Sequence, residues 1–137
     1  MMDRERLPVE RPSITRSFSV PYIDEEKMPQ RFGFYVIAGL YDDNRLAEIF
    51  IYSNRKNDQL SGLLAGSLDT VATMISIGLQ YGVPLATFTA KLRHNLFGPA
   101  GFTGDPQFHS CTSIFDLVAQ WLDTTFPNGK FGVEPPT

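Results

Sequence analysis

The order of hydrophobic patterns along the chain predicts an α+β fold, in which a small antiparallel three-stranded sheet precedes three helices that pack on one of its faces. Two observations support this order. The first 53 residues hold runs of β-branched and aromatic residues separated by turn residues, whereas apolar residues recur at helical spacing from residue 58 onward. A length of 137 residues fits one domain, which we place over residues 13–126.

Strands are predicted over residues 13–20, 33–41 and 46–53. In the first, Ile14, Phe18 and Val20 share one parity, which indicates one buried face. A charged loop over residues 21–31 follows, and the turn residues 42–45 join the second strand to the third. The second strand is apolar on both parities, so we expect the other sheet face to need a cover, from a second copy or another protein.

The first helix is predicted over residues 58–81, with Asn57 or Asp58 as its N-cap and Gly82 just past its end. Three glycines inside it each cost about 1 kcal/mol relative to alanine. We therefore expect the helix to pack closely against another element. The glycines are Gly62, Gly66 and Gly78.

The other two helices are predicted over residues 84–95 and 113–125. Pro84 fits the first turn of the second helix, and Ser113 with Asp116 has the spacing of a capping box at the start of the third. Residues 98–106, rich in glycine and proline, are predicted to form a structured loop between them. Residues 1–12 are predicted to be a flexible segment and residues 127–137 a tail.

Composition excludes several classes of protein. The net charge is −3, and the chain holds one cysteine, Cys111, and two histidines, His94 and His109. One cysteine forms no internal disulfide, and this set does not supply a structural zinc site. We found no signal peptide and no membrane span in the pattern, so we expect a cytoplasmic protein. The acidic balance argues against nucleic-acid binding.

No catalytic residues are predicted. His109 and Cys111 would point to opposite sides of an extended segment, which disfavours a Cys–His pair, and no nucleophile-elbow pattern surrounds a serine. Residues 98–104 leave open an anion-binding nest of backbone amides. Glu48 would face solvent or pair across the sheet, for example with Arg16. The predicted ligand or partner contacts are Arg55, Gln80, Tyr81, Arg93, His94, Phe97, Gly101 and Thr103.

Several segments together resemble one known family. The segments are residues 6–8, 11–15, 39–43, 48–51, 76–85 and 112–116. In order and spacing they resemble the C-terminal TSCPD domain of adenosylcobalamin-dependent, class II ribonucleotide reductases, over residues 6–126. The family signature Thr-Ser-Cys-Pro-Asp stands here as Thr112-Ser113-Ile114-Phe115-Asp116. The family's Arg-Phe-Glu-Pro loop stands as Leu96-Phe97-Gly98-Pro99, without its two charges.

The resemblance implies structural roles for Gly82, Pro84, Thr112, Ser113 and Asp116. It does not imply catalysis by this chain, because reductases of that class use a radical cysteine, a redox pair of cysteines and a cobalamin-binding barrel. The sequence therefore predicts a non-catalytic accessory, regulatory or assembly module for ribonucleotide reduction, with a class II reductase or a second copy as its partner. No cofactor is expected on this chain, and adenosylcobalamin only in a partner reductase. The alternative is a nucleotide- or small-anion-binding protein without a reductase partner.

Overall fold

A computed structural model describes residues 3–53 and 59–132 of the chain. It confirms the α+β order of a three-stranded antiparallel sheet followed by three helices. The predicted N-caps Asn57 and Asp58 lie outside the described residues. The elements are β1 (Ser13–Ile23), β2 (Pro29–Leu40), β3 (Leu46–Ser53), α1 (Gln59–Gln80), α2 (Leu85–Leu92), β4 (Gly101–Phe102), β5 (Ser110–Cys111), α3 (Ile114–Thr125) and a 3-10 turn, Pro127–Gly129.

The hairpin of β1 and β2 is longer than the sequence predicts. Strand pairing runs from Ser13 opposite Gly39 to Ile23 opposite Pro29, so the predicted loop over residues 21–31 is wrong for most of its length. Pro21 does not end β1, because β1 is an edge strand and its proline lies opposite Arg31 without breaking the ladder. The remaining turn is closed by Asp24, whose carboxylate accepts hydrogen bonds from two backbone amides in the turn.

The core lies between the inner face of the sheet and one side of each helix. The inward residues of β1 and β2 belong to one buried cluster with the apolar residues of α3. At these positions the predicted parity is confirmed. The largest fully buried core side chains are Phe32, Phe34, Phe126, Ile49, Leu68, Ile114, Leu117 and Leu122.

Helix α1 runs along the free edge of β3 and takes up the backbone groups that the edge would expose. The Ser76 hydroxyl accepts from the Ile49 amide at 2.9 Å, and its one hydrogen is shared between the carbonyls of Ala72, at 2.8 Å, and Ile49, at 3.1 Å. One turn later, Gln80 Nε2 donates to the carbonyl of Ala47 at 3.2 Å. These side-chain bonds prevent the edge from templating another strand at those positions.

The outward side of α1 is open to solvent. The expectation of close packing is right for Gly78, where a Cβ would overlap the Phe88 ring, and wrong for Gly62 and Gly66, where a Cβ would have nothing within 4 Å. Residues 61–80 are long and apolar enough to cross a membrane by length and composition alone, with 28% of that window buried. A mostly buried core helix of a soluble protein passes the same test. In this structure α1 is bound to β3 through Ser76 and Gln80.

No described residue covers the centre of the sheet face opposite the helices, which is apolar, as the two-sided pattern of the second strand predicts. Tyr35, Phe50 and Tyr52 point outward there and are 50%, 41% and 58% exposed. Ile37 shares their face and is half-buried between neighbouring strands.

The two kinds of glycine in α1 give a matched test. We expect Gly66→Ala to raise the free energy of unfolding by up to about 1 kcal/mol, because alanine gains helix propensity in open space. Gly78→Ala should lower it by roughly 1 kcal/mol, because the new methyl group displaces Phe88. Urea denaturation of both variants measures the difference. Equal shifts of the same sign would contradict the packing described for Gly78.

Candidate functional site

A buried carboxylate connects three segments at the end of the domain that carries the family-signature residues. Asp116, in the first turn of α3, is 2% exposed. Its Oδ1 accepts hydrogen bonds from the His94 amide at 2.8 Å and from Arg93 Nε at 3.1 Å. Its Oδ2 accepts from the Thr112 amide at 3.1 Å and from Gln120 Nε2 at 2.9 Å. We call these five residues the Asp116 cluster.

The predicted capping box at the start of α3 is confirmed for its serine half, whereas its carboxylate half binds a different amide. The Ser113 hydroxyl accepts a hydrogen bond from the Asp116 amide at 3.0 Å, while the Asp116 carboxylate reaches back to the amide of Thr112. Aspartate replaces the usual glutamate, and its shorter side chain reaches one residue before the N-cap. One otherwise orphaned helix-terminal donor, the Asp116 amide, is satisfied in this way, together with the amide of Thr112 just before the N-cap.

Burial and hydrogen bonding act in opposite directions on Asp116. Burial alone would raise the pKa of Asp116, but the amides of His94 and Thr112, together with Gln120 and Arg93, hold it below its usual 3.8. The carboxylate is therefore ionised at neutral pH. Arg93 supplies the nearest opposite charge and is also 3.8 Å from Asp123.

The same cluster corrects the end of the second helix, predicted at residue 95. Helix α2 ends at Leu92, and Arg93 is already extended, with φ −62° and ψ 135°. His94 takes the left-handed conformation at φ 66°. The Asp116 carboxylate accepts the His94 amide hydrogen in this conformation, so a tertiary hydrogen bond overrides the helical periodicity. Arg93 and His94 thus lie beyond the helix rather than in its last turn.

A loop with exposed apolar side chains is fastened beside the Asp116 cluster. The Phe97 amide donates to the carbonyl of Thr112 at 3.2 Å, and the Phe97 ring lies 5.5 Å from that of Phe115. Gly101 pairs with Cys111 in the two-residue ladder of β4 and β5, which the sequence did not predict within residues 98–106. We call residues 96–102 the apolar loop. Its exposed members are Leu96, at 83%, Phe102, at 82%, and Phe97, at 43%.

Thr103 lies away from this loop surface and is buried. Its hydroxyl donates to the Phe108 carbonyl and accepts from the Asp105 amide. Asp105 in turn accepts hydrogen bonds from the amides of Gln107 and Phe108 and pairs with Arg16 at 2.6 Å. The amides after Thr103 therefore bind a carboxylate of the protein itself, which holds the pKa of Asp105 below 3.8 although burial opposes this.

Four other predicted residues lie where α1 meets α2. Gln80 is buried, and its Oε1 accepts from Arg4 Nε at 2.7 Å. Tyr81 is exposed, Gly82 takes a positive φ of 91° past the end of α1, and Pro84 precedes α2 as its N-cap. The structure thus connects this turn to the N-terminal segment and not to the Asp116 cluster.

The N-terminal segment makes further contacts that the sequence did not reveal. The amide of Glu5 donates to the Gln80 carbonyl at 2.8 Å, and the Glu5 carboxylate pairs with Arg45 at 2.8 Å. The flexibility of residues 1–12 and the tail over residues 127–137 stay predictions. Arg55, the remaining predicted contact, lies outside the described residues.

The predicted partner of Glu48 is wrong. Glu48 is buried and pairs with Arg11 at 2.8 Å, whereas Arg16 pairs with Asp105. Gly39 makes room for this, since a Cβ there would lie 2.7 Å from Glu48 Cγ. Arg11 comes just before β1, where Pro12 accepts a hydrogen bond from the Leu40 amide and so continues the pairing with β2, and the Arg11 side chain reaches Glu48 on β3.

Cys111 is buried, and burial with the nearby Asp116 charge raises the pKa of its thiol. Such a thiol is a weak nucleophile at neutral pH. Within residues 3–53 and 59–132, no three His, Cys, Asp or Glu side chains group closely enough to hold a metal ion.

Comparison with known proteins places this geometry in context. The sequence profile of the TSCPD domain matches residues 24–126. The vitamin B12-dependent ribonucleotide reductase of Rhodopirellula baltica is 35% identical over 127 residues, which are 93% of this chain and 11% of that protein. The enzyme of the same name from Streptantibioticus cattleyicolor is 37% identical over 123 residues, which are 90% of this chain and 18% of that protein. No solved structure matches.

The chain therefore spans between a tenth and a fifth of the length of these relatives. The signature position that holds cysteine in the family is occupied here by Ile114, which is fully buried in the core. The signature's polar residues, by contrast, form the capping box. The retained part of the signature therefore organises the helix start, and the replaced part packs in the interior.

Asp116→Asn tests the role of the carboxylate. We expect it to lower the free energy of unfolding at pH 7 by about 3 kcal/mol, because an amide nitrogen then faces buried donors. Because the folded pKa lies below the unfolded one, the wild type holds this stability above about pH 4 and loses it as the pH falls further. Urea titrations between neutral and acidic pH should show the two proteins converging at low pH. Asp123→Asn, at an exposed position, is the control and should change little.

Proposed function

We propose, since this chain belongs to the TSCPD domain family, that it serves ribonucleotide reduction as a non-catalytic accessory module that docks on a vitamin B12-dependent ribonucleotide reductase. One observation carries the proposal. Reductases contain a segment that matches nine-tenths of this chain, while the chain corresponds to only 11% of the first of them. In these relatives the matching segment is part of the reductase chain itself. A reductase is therefore the partner that we expect for a separate copy of the domain.

The thiol chemistry supports a non-catalytic role. The family resemblance implies reduction through a radical cysteine and a redox cysteine pair, and this chain has a single cysteine. Cys111 is buried, and its thiol pKa is raised, so it is unsuited to exchange with a substrate or a second thiol. On this proposal the partner reductase holds the adenosylcobalamin, and the complex is cytoplasmic.

The apolar loop supports a docking surface on the same end of the domain as the signature residues. Two of its side chains, Leu96 and Phe102, are more than four-fifths exposed, which is unusual for large apolar residues on a small domain. The family's charged Arg-Phe-Glu-Pro loop is apolar here, so this chain would dock mainly by burying hydrophobic surface. The Asp116 cluster fixes the loop in place before binding, which reduces the ordering cost of association.

The alternative of nucleotide or anion binding has no comparable support. Of the amides in residues 98–104, that of Thr103 donates to the His109 carbonyl, and Arg93 is paired with Asp116. The neighbouring amides of Gln107 and Phe108 bind Asp105. A thermal-shift panel of nucleoside phosphates should therefore give no stabilisation. A ligand at 100 times its dissociation constant would add about 2.7 kcal/mol, a clear shift that would favour this alternative.

The docking proposal is tested by affinity capture from extract of the source cells, followed by binding to the purified reductase. We expect the tagged chain to retain a vitamin B12-dependent reductase. Phe102→Lys should weaken that binding about tenfold or more, since it places a charge in the proposed contact.

Two matched variants keep the outcome interpretable. Leu63, on the open side of α1, is 70% exposed, and Leu63→Lys should bind like the wild type. Cys111→Ala should also bind normally, because the thiol has no part in docking. Failure to retain any reductase would refute the accessory role. Unchanged binding by Phe102→Lys would refute the apolar loop as the docking surface.

A further inference from the structure

A guanidinium without a carboxylate partner is held beside the outer edge of β1. Arg31, on β2, is exposed, and its Nε donates to the Ser19 hydroxyl at 3.0 Å. Its Nη2 donates to the carbonyls of Ser19, at 3.3 Å, and Thr103, at 2.7 Å. Among residues 3–53 and 59–132, Nη1 has no acceptor and no carboxylate pairs with Arg31. Both hydrogens of Nη1 are therefore left for a ligand.

The backbone edge of β1 beside this guanidinium offers mainly donors. The Leu40 amide donates to the Pro12 carbonyl, so the even-numbered residues of this ladder bond to β2 and the odd-numbered ones turn their backbone groups outward. Of the outward carbonyls, that of Ser17 accepts from Arg16 Nη1 at 2.9 Å, and that of Ser19 accepts from the guanidinium. The outward amides of Ser17 and Ser19 donate to no carbonyl in the described part of the chain. Such N–H groups suit an oxyanion.

A polar notch of about 250 Å³ lies between this edge and the facing segment, residues 103–106. The one acidic residue that lines the notch is Asp105, which pairs with Arg16 at 2.6 Å and accepts two backbone amides. The charge of Arg31 is thus left uncompensated, and a singly charged carboxylate balances it better than a dianionic phosphate. The bond from Arg31 to Thr103 crosses the gap, so an added β-strand cannot pair along this edge. The lining residues are Ser17, Phe18, Ser19, Arg31, Thr103, Gly104, Asp105 and Pro106.

The notch adjoins the apolar loop. Phe102, which is 82% exposed, directly precedes Thr103, and the Thr103 carbonyl holds Arg31. The two residues of β4 also lie beside β1. A protein that covers Phe102 therefore comes within reach of the notch. On the basis of the docking function proposed above, we propose that the notch takes an aspartate or glutamate side chain of the reductase, beside the surface that covers the apolar loop.

Physical reasons favour a carboxylate carried by the partner over a free acid. An exposed ion pair contributes little in water, because both charges stay hydrated and screened. A partner that buries Leu96 and Phe102 excludes water from the neighbouring notch, where the same pair is stronger. The chain has a net charge of −3 and repels acidic groups elsewhere, so the notch restricts where an acidic side chain can approach. The notch would thus fix the orientation in which the reductase docks.

Two substitutions at Arg31 separate its charge from its hydrogen bonds. We expect Arg31→Gln to weaken binding to the purified reductase about fivefold at low salt, because the cation is lost. Arg31→Glu removes the same hydrogen bonds but places a like charge opposite the acidic side chain, so it should weaken binding about fivefold further. The difference between the two variants should disappear at about 1 M salt, where charges are screened beyond about 3 Å. Surface plasmon resonance over a series of salt concentrations measures these changes.

Arg6→Gln is the matched control, because it removes one exposed positive charge near Tyr41 and Arg45, beyond the opposite end of β2. It should bind like the wild type. Arg31 variants that bind as tightly as the wild type, while Phe102→Lys binds weakly, would overturn the notch and leave the docking function intact. Equal losses in Arg31→Gln and Arg31→Glu at every salt concentration would reduce Arg31 to a structural role. If no reductase binds at all, the docking function fails and this assignment fails with it.

The chemistry of the notch also has a readout without the reductase. Acetate, titrated at constant ionic strength, should shift the NMR signals of the Ser17 and Ser19 amides more than chloride does, and Arg31→Gln should remove the difference. If acetate and chloride act alike on the wild type, the notch is not a carboxylate site.

Discussion

The ionised carboxylate of Asp116 is the constraint on which the signature end of this domain depends. A buried charge is tolerated only when hydrogen bonds replace its lost hydration, and Asp116 receives them from three separate segments. Meeting that requirement ends α2 at Leu92, fixes His94 in a left-handed conformation and starts α3 at Ile114. The apolar loop between α2 and β5 then has both its ends placed. The hydrogen bonds that the Asp116 carboxylate requires thereby determine the position of the exposed apolar loop.

The opposite end of the domain is organised by hydrogen bonds at a sheet edge. Ser76 and Gln80 bind the outer backbone groups of β3, and Arg4 and Glu5 extend the same arrangement by binding the end of α1. The free edge of β3 is thereby covered, while the outer face of the sheet is left open. Side chains of α1 bind the backbone of the β3 edge, which could otherwise pair with another strand and promote aggregation. The outer face of the sheet remains available for specific association.

Sequence patterns predicted the element order and the N-cap serine of α3, because both depend on neighbours within a few residues. Ser113 and Asp116 illustrate this, being three positions apart. Features set by distant partners were missed or misplaced. Arg11, and not Arg16, neutralises Glu48. The pattern of apolar residues does not show where the N-terminal segment runs, so this pair could not be predicted from it. The end of α2 was predicted three residues too late, because the His94 amide donates to Asp116, a residue 22 positions later in the sequence. The exposure of Leu96 and Phe102 could not be predicted either, because the hydrophobicity of these residues favours burial and only the fold places them at the surface.

The central claim is that this domain contributes a docking surface, and no radical chemistry, to a vitamin B12-dependent reductase. The most direct measurement is deoxyribonucleotide formation by such a reductase whose own matching segment has been deleted, with adenosylcobalamin and with or without this chain added in trans. The account predicts no product from the chain alone and a restored or altered rate for the truncated reductase when the chain is present. Product formed by the chain alone, or a rate indifferent to its addition, would contradict the account.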